Sequence, residues 1–284
     1  MSELVLNRDT AAETETAAVK KKSGFARELN AIVTIVARGV LLTLKSPSTL
    51  IMSLVMPIVM MGMIGGNLSQ NMAGGLGFDY GQFMLVGMLV NMLFMVTSQG
   101  LSSLVEDRDT NFTQEMFIAP VSRPSIVIGT ILGSAFTAIV SLLGTLAVAL
   151  FMGIRLGVPQ LLAILALSPL MCLAAGSFAV LLIGGIKNKK AANMAVMIVT
   201  MPQMFLSGAI IPIGNSSGIL LVLNRIMPMT YCLDLVRAVV YAGTPEYAGV
   251  VLFNPVVTLA AIVALTVVCL TVGTVLFARS ETHK

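Results

Sequence analysis

Residues able to do covalent or metal chemistry are scarce in this sequence and far apart. Cys172, Cys232 and Cys269 are widely separated, and two of them fall inside long apolar runs. No metal-ligand spacing or disulfide framework can be built from them. The single histidine, His283, stands in the polar C-terminal tail. No Ser/His, Asp/Asp or His/Glu pair is placed to act as nucleophile and base. No Gly-rich loop ending in Gly-Lys-Ser/Thr occurs to cradle a phosphate. What the side chains can do is bind, dock and pack, and two segments carry most of that capacity.

The first segment runs from Glu106 to Pro124. Acids crowd its start, where a helix N-terminus favours them. Phe112, Met116 and Phe117 then fall at i, i+4 and i+5, giving one greasy face on a charged stretch before Pro120 ends it. Such a face suits a partner protein, or equally rests on the bilayer or on the chain's own helices. The second segment holds Phe205 to Pro212 and Met227 to Arg237. It is too apolar for an ordinary loop and too broken by Gly and Pro for a straight span. Short helices dipping into one leaflet satisfy both facts, with Arg225, Asp234 and Arg237 expected at the interface. Non-helical backbone at that depth must be buried in protein or face a water-filled cavity.

Hydrophobic residues make up 57% of the 284-residue chain and charged residues 11%, with mean hydropathy +0.95. A soluble domain carries roughly 25% charged residues. Six runs of about twenty residues or more lack any Asp, Glu, Lys, Arg or His: 48–66, 82–104, 125–153, 159–186, 191–211 and 251–278. In lipid these fold as helices, since barrel strands would alternate over about ten residues. With the N-terminus inside, 14 of the 17 Lys and Arg lie on the inner segments and Arg155, Arg225 and Arg237 on the outer ones. The expected topology is therefore N-in and C-in. The net charge of +4 reads as a cytoplasmic-leaflet signature and not as a nucleic-acid surface.

The expected fold is all-α and integral to a membrane, with six transmembrane helices. Residues 1–23 read as a disordered cytoplasmic tail without a cleavable signal, and 279–284 as a second tail. Between them lies one transmembrane domain, 24–278, with inner loop 105–124 and an outer segment of re-entrant helices, 212–250. Within 24–46, Arg27, Thr34, Arg38 and Lys45 stack on one face, opposite Leu29, Ile32, Val33, Val36, Val40 and Leu44. That pattern predicts an interfacial helix lying on membrane lipid and broken at Ser46-Pro47.

Three runs carry Met stripes spaced by three or four. They are Met52, Met56, Met60 and Met63; Met84, Met88, Met92 and Met95; and Met194, Met197, Met201 and Met204. Pliable thioethers suit varied apolar ligands, and Met56, Met60, Met88, Met92, Met201 and Met204 are the candidates for a substrate path. Ordinary packing explains such stripes as well. Thr130, Ser134, Thr137, Ser141 and Thr145 share one helix face, as glue between helices or as a polar wall.

The loop from Glu106 to Arg123, with Glu115-Met116 followed by Ala119-Pro120-Val121-Ser122-Arg123, resembles the cytoplasmic loop of type 2 ABC exporter permeases. The daunorubicin-type drug-resistance branch is the nearest in pattern. Phe205 to Pro212, and Pro228-Met229-Thr230-Tyr231 with Asp234 and Arg237, are similar to that family's other hallmark. Two positions depart from it: Asn111 stands where the family usually has Gly, and Met227 where it often has Asn.

The resemblance implies a half-transporter. A second permease subunit, identical or not, would face this one. A separate cytoplasmic ATPase, binding ATP and Mg, would dock on Arg108, Asp109, Phe112, Glu115, Met116 and Phe117. The interfacial helix, with Arg27, Arg38 and Lys45, would be the second brace. Pro212, Pro228, Tyr231, Asp234 and Arg237 would shape the outer segment. The chain itself would hold no cofactor and no catalytic site, would not bind nucleic acid, and would move a lipophilic substrate across a bacterial plasma membrane. The competing readings are an ATP-independent secondary transporter, disfavoured by spans free of ionisable groups, and a membrane scaffold.

Overall fold

Apolar runs of this length form helices because each backbone N–H must find its acceptor within its own segment. Among the described residues no strand occurs. The structure, a computed structural model, describes residues 28–48, 78–109, 122–151, 153–154, 156–213 and 218–282, with isolated positions between 51 and 62. Its helices are α1 (28–45), α2 (Tyr80–Gly100), α3 (Ser103–Asp109), α4 (Arg123–Phe151) and α5 (Val158–Ile183). They continue with α6 (Lys189–Leu206), α7 (Ile219–Ile226), α8 (Pro228–Val240), α9 (Tyr247–Val250) and α10 (Pro255–Thr282).

Among the described residues, four spans are long and apolar enough to cross a membrane, or five if the bent pair α7–α8 counts as one. The predicted first span, 48–66, lies outside the described residues apart from those isolated positions. The predicted fifth, 191–211, is corrected to the 18-residue α6. At 1.5 Å per residue it reaches about 27 Å, a little short of a hydrocarbon core of about 30 Å. Gly208, at φ +82°, turns the chain out of the helix five residues before the predicted end.

Other boundaries shift for equally local reasons. The predicted 82–104 breaks at Leu101-Ser102, where Ser102 and Ser103 turn their hydroxyls back onto the Gln99 and Gly100 carbonyls, each at 2.7 Å. The last span starts at Pro255 instead of 251, because Asn254 caps it by accepting from Val256 N at 2.9 Å.

α2 is the hub: 78% of its apolar window is buried, against 22% for α10 at the periphery. It packs on α4 and α5, while α10 packs chiefly on α5 and α8 is wedged between α2, α5 and α10. Small residues permit the closest approaches. A Cβ on Gly273 of α10 would stand 2.7 Å from the backbone nitrogen of Leu181 on α5.

α1 ends at Ser46, where its sequence predicts, and shows three faces. Ile35, Gly39 and Thr43 pack on α4, with a Cβ on Gly39 falling 3.0 Å from Gly133 Cα. The Thr43 and Thr137 hydroxyls hydrogen-bond across that contact. Leu29, Val33 and Leu44 on the second face are 52%, 59% and 63% exposed. Arg38 and Lys45 are exposed on the third.

Candidate functional site

The second polar segment folds into a buried knot at the outer end, as the Lys/Arg bias orients the chain. α7 and α8 meet at Met227 with an 80° bend, and Pro228 opens α8, where its missing N–H costs nothing. Asp234 and Arg237 sit one turn apart on α8 and are each 2% exposed. Both are thus buried within the chain, whereas Arg225, expected with them at the membrane interface, is exposed.

Their charges are compensated by helix ends. Arg237 Nη2 donates to Gly208 O at 2.8 Å, just past the C-terminus of α6, where the helix dipole favours a cation. Its guanidinium lies 3.7 Å from the ring centroid of Phe83 on α2, a contact worth about 2 kcal/mol when desolvated. The Asp234 carboxylate accepts from Leu252 N at 2.7 Å, Phe253 N at 3.1 Å and Thr258 Oγ1 at 3.2 Å, beside the start of α10. α8 therefore offers a base to one helix end and an acid to another.

The chain between Ser207 and Ile211 is not helical and is largely buried, so its carbonyls need partners. Tyr80 Oη donates to Ile210 O at 2.8 Å, and Asn224 Nδ2 donates to Leu206 O at 2.7 Å. Thr230 Oγ1 returns to Asn224 O at 2.8 Å, and Tyr231 Oη reaches Arg225 O at 2.7 Å, so α7 and α8 brace each other. Pro228 is buried, and Pro212 and Tyr231 are half-buried. The whole segment lies on α2 at Gly87, where a Cβ would fall 2.0 Å from Ala209 O.

At the opposite end, two charged contacts hold the edges of the inner loop. Glu106, where α2 and α3 deliver the chain into the loop, pairs with Lys189 at the start of α6. Glu28 on α1 accepts from Ser122 N and Ser122 Oγ, both at 2.9 Å, where the chain leaves the loop for α4. The loop's entry is thus tied to α6 and its exit to α1.

Of the predicted docking residues, Arg108 and Asp109 lie on α3 and their side chains are not described. Phe112, Glu115, Met116 and Phe117 lie outside the described residues, as do Arg27, Met56 and Met60. Met88 and Met92 are buried in the chain's own core, and Met92 Sδ accepts from Thr145 Oγ1 at 2.7 Å. Met201 is 40% exposed and Met204 7%. The Met stripe of α2 therefore packs, and among the described residues that of α6 is exposed over Met194, Met197 and Met201. The hydroxyl face of α4 acts as glue through Thr137 and Thr145.

Sequence reasoning missed Glu28, Tyr80, Phe83, Gly87, Asn224 and Thr258. Each works through a partner 6 to 154 residues away, a separation that no periodicity reveals. Among the described residues no group of His, Cys, Asp and Glu could hold a metal ion.

A family model described as ABC-2 type transporter matches residues 30–241, from the first turn of α1 through the end of α8. No curated protein matches the chain.

Proposed function

Matched over well more than half its length, the chain belongs to the ABC-2 type transporter family, and from that premise we propose a specific permease role. It is a multi-pass membrane protein and a permease component of an ABC transporter. In the proposed reading it exports a lipophilic substrate, of the kind handled in drug efflux and antibiotic resistance, from a bacterial cell. A separate ATPase holding ATP and Mg docks on the 105–124 loop, and a second permease subunit completes the pathway. The topology is N-in and C-in with six spans, the bent pair α7–α8 is re-entrant, and the nearest branch is the daunorubicin type.

The observation that carries this reading is the tying of both loop edges. A push on a loop anchored at Glu106–Lys189 and at Glu28–Ser122 is delivered to α6 and α1 together. α6 in turn ends in the outer knot through Leu206 and Gly208. Movement at the loop thereby has a continuous route of packed helix to the far end. A proton-coupled mechanism has less to work with. The Asp234 carboxyl is already engaged within the chain, by Leu252 N, Phe253 N and the Thr258 hydroxyl.

Inside-out vesicles from the native membrane test the reading directly. Uptake of a panel of lipophilic dyes should require ATP and Mg and should fall to background with the F112A/E115A/F117A variant. Uptake that ignores ATP and collapses with a proton ionophore would establish the secondary-transporter alternative instead.

A further inference from the structure

α6 divides along its length into two faces. At about 100° per residue, Ala192, Val196, Thr200 and Gln203 fall together, and all four are buried against the rest of the chain. On the opposite side Lys190, Met194, Ile198, Met201 and Phe205 follow one another three or four residues apart, and all are exposed. Met194 and Ile198 are the most open, at 62% and 66%. This stripe is apolar from Met194 to Phe205 and has a cation at its foot.

The foot carries more positive charge than the chain itself answers. Lys187, Lys189 and Lys190 stand together where the chain turns into α6, and Glu106 takes Lys189. Lys187 and Lys190 are exposed, and among the described residues neither meets an acid. Asn188 caps the helix by accepting from Lys190 N at 2.7 Å. That cap puts Lys190 in the first turn, where the helix dipole disfavours a cation. An anion beside Lys187 and Lys190 answers both the surplus charge and the dipole. The approach is open, since a Cβ on Gly185, just before the lysines, would meet nothing within 4 Å.

From Met194 to Phe205 the stripe rises about 16 Å at 1.5 Å per residue. That is close to the depth of one leaflet, about half of a 30 Å hydrocarbon core. A soluble anion would use the lysines and leave the stripe idle, and a plain hydrocarbon would do the reverse. One molecule with an anionic head and an apolar chain uses both.

We propose that this face of α6 holds one anionic phospholipid, its phosphate on Lys187 and Lys190 and an acyl chain along Met194, Ile198 and Met201. A zwitterionic head would bring an ammonium that the lysines repel. The inference rests on the chain lying in a bilayer and is independent of ATP coupling, so its failure leaves the permease reading untouched.

The test uses the full chain reconstituted in vesicles of equal parts phosphatidylglycerol, phosphatidylethanolamine and phosphatidylcholine with identical acyl chains. After release into mild detergent, native mass spectrometry reads the lipid retained. One phosphatidylglycerol per chain is expected, in roughly twentyfold preference over either competitor, about fivefold from each lysine. K190Q should cut the preference about fivefold and K187Q/K190Q should abolish it. R225Q, which removes an exposed cation at the opposite end of the molecule, should leave it unchanged. A phosphatidylglycerol with a diazirine in its acyl chain should photolabel the stretch from Met194 to Met201. Equal retention of the three lipids overturns the proposal, as does a loss in R225Q as large as in K190Q. Labelling confined to other helices, or α6 shielded from label by a second copy of the chain, overturns it too. Should the lysine variants fail to fold, the headgroup comparison and the photolabel in the native chain still decide.

Discussion

At the outer end Asp234 and Arg237 are each 2% exposed and spend their charges on backbone beside helix termini. At the inner end Glu106 and Lys189 pair through side chains 46% and 42% exposed, and Glu28 meets Ser122 at an exposed contact. The first arrangement is costly to break, because a lost partner strands a buried charge or carbonyl. The second is cheap, since water and salt replace either partner. A transporter needs both: an outer cluster that moves as one body, and an inner attachment that can load and release.

Substitutions that break this contrast should rank accordingly. Gly87→Val is expected to do the most damage, since its Cβ would meet Ala209 O at 2.0 Å with only backbone to give way. It should abolish a monodisperse folded peak in size exclusion. Gly185→Ala, with nothing within 4 Å of its Cβ, should melt like the native chain. A normal melting curve for Gly87→Val would mean that the 207–211 segment does not lie on α2.

Next comes the buried pair. Asp234→Ala or Arg237→Met should each lower stability by about 3 kcal/mol, read as a lower melting temperature in detergent. A loss below about 1 kcal/mol would place these charges in water.

Gln203 sharpens the comparison from the other side. It is fully buried on α6, and neither amide atom has a partner among the described residues. Gln203→Met removes that unpaired group and should raise stability by about 1 kcal/mol. A drop in melting temperature would show that the amide has a partner in the assembled transporter. The smallest effect is expected for Glu106→Gln, below about 1 kcal/mol and vanishing in high salt. A large, salt-independent loss would erase the distinction between the two ends.

Much of this architecture is legible in the sequence, and the reasons differ by element. Spans such as 125–153 and 159–186 announce themselves because uninterrupted apolar length is a local property. Ser46-Pro47 marks the end of α1 as clearly, and Gly208-Pro212 marks a break. The outer motif could be located from its Gly, Pro and charge spacing, but not its arrangement. That Arg237 meets the end of α6 and Asp234 the start of α10 depends on how three helices pack. The inner clamp was hidden for the same reason: Glu28 and Ser122 are 94 residues apart and ordinary in type. The Met stripes show the limit of periodicity, which marks a face without saying what covers it. One stripe is core, and another is exposed.

The claim that decides the rest is that an ATPase binds at the 105–124 loop. The chain would be purified in mild detergent from its native membrane, beside the F112A/E115A/F117A variant, and each sample assayed for a bound nucleotide-hydrolysing subunit. An ATPase should travel with the native chain and be lost from a variant that keeps its melting temperature. An ATPase retained by the variant, or absent from both samples, would contradict it.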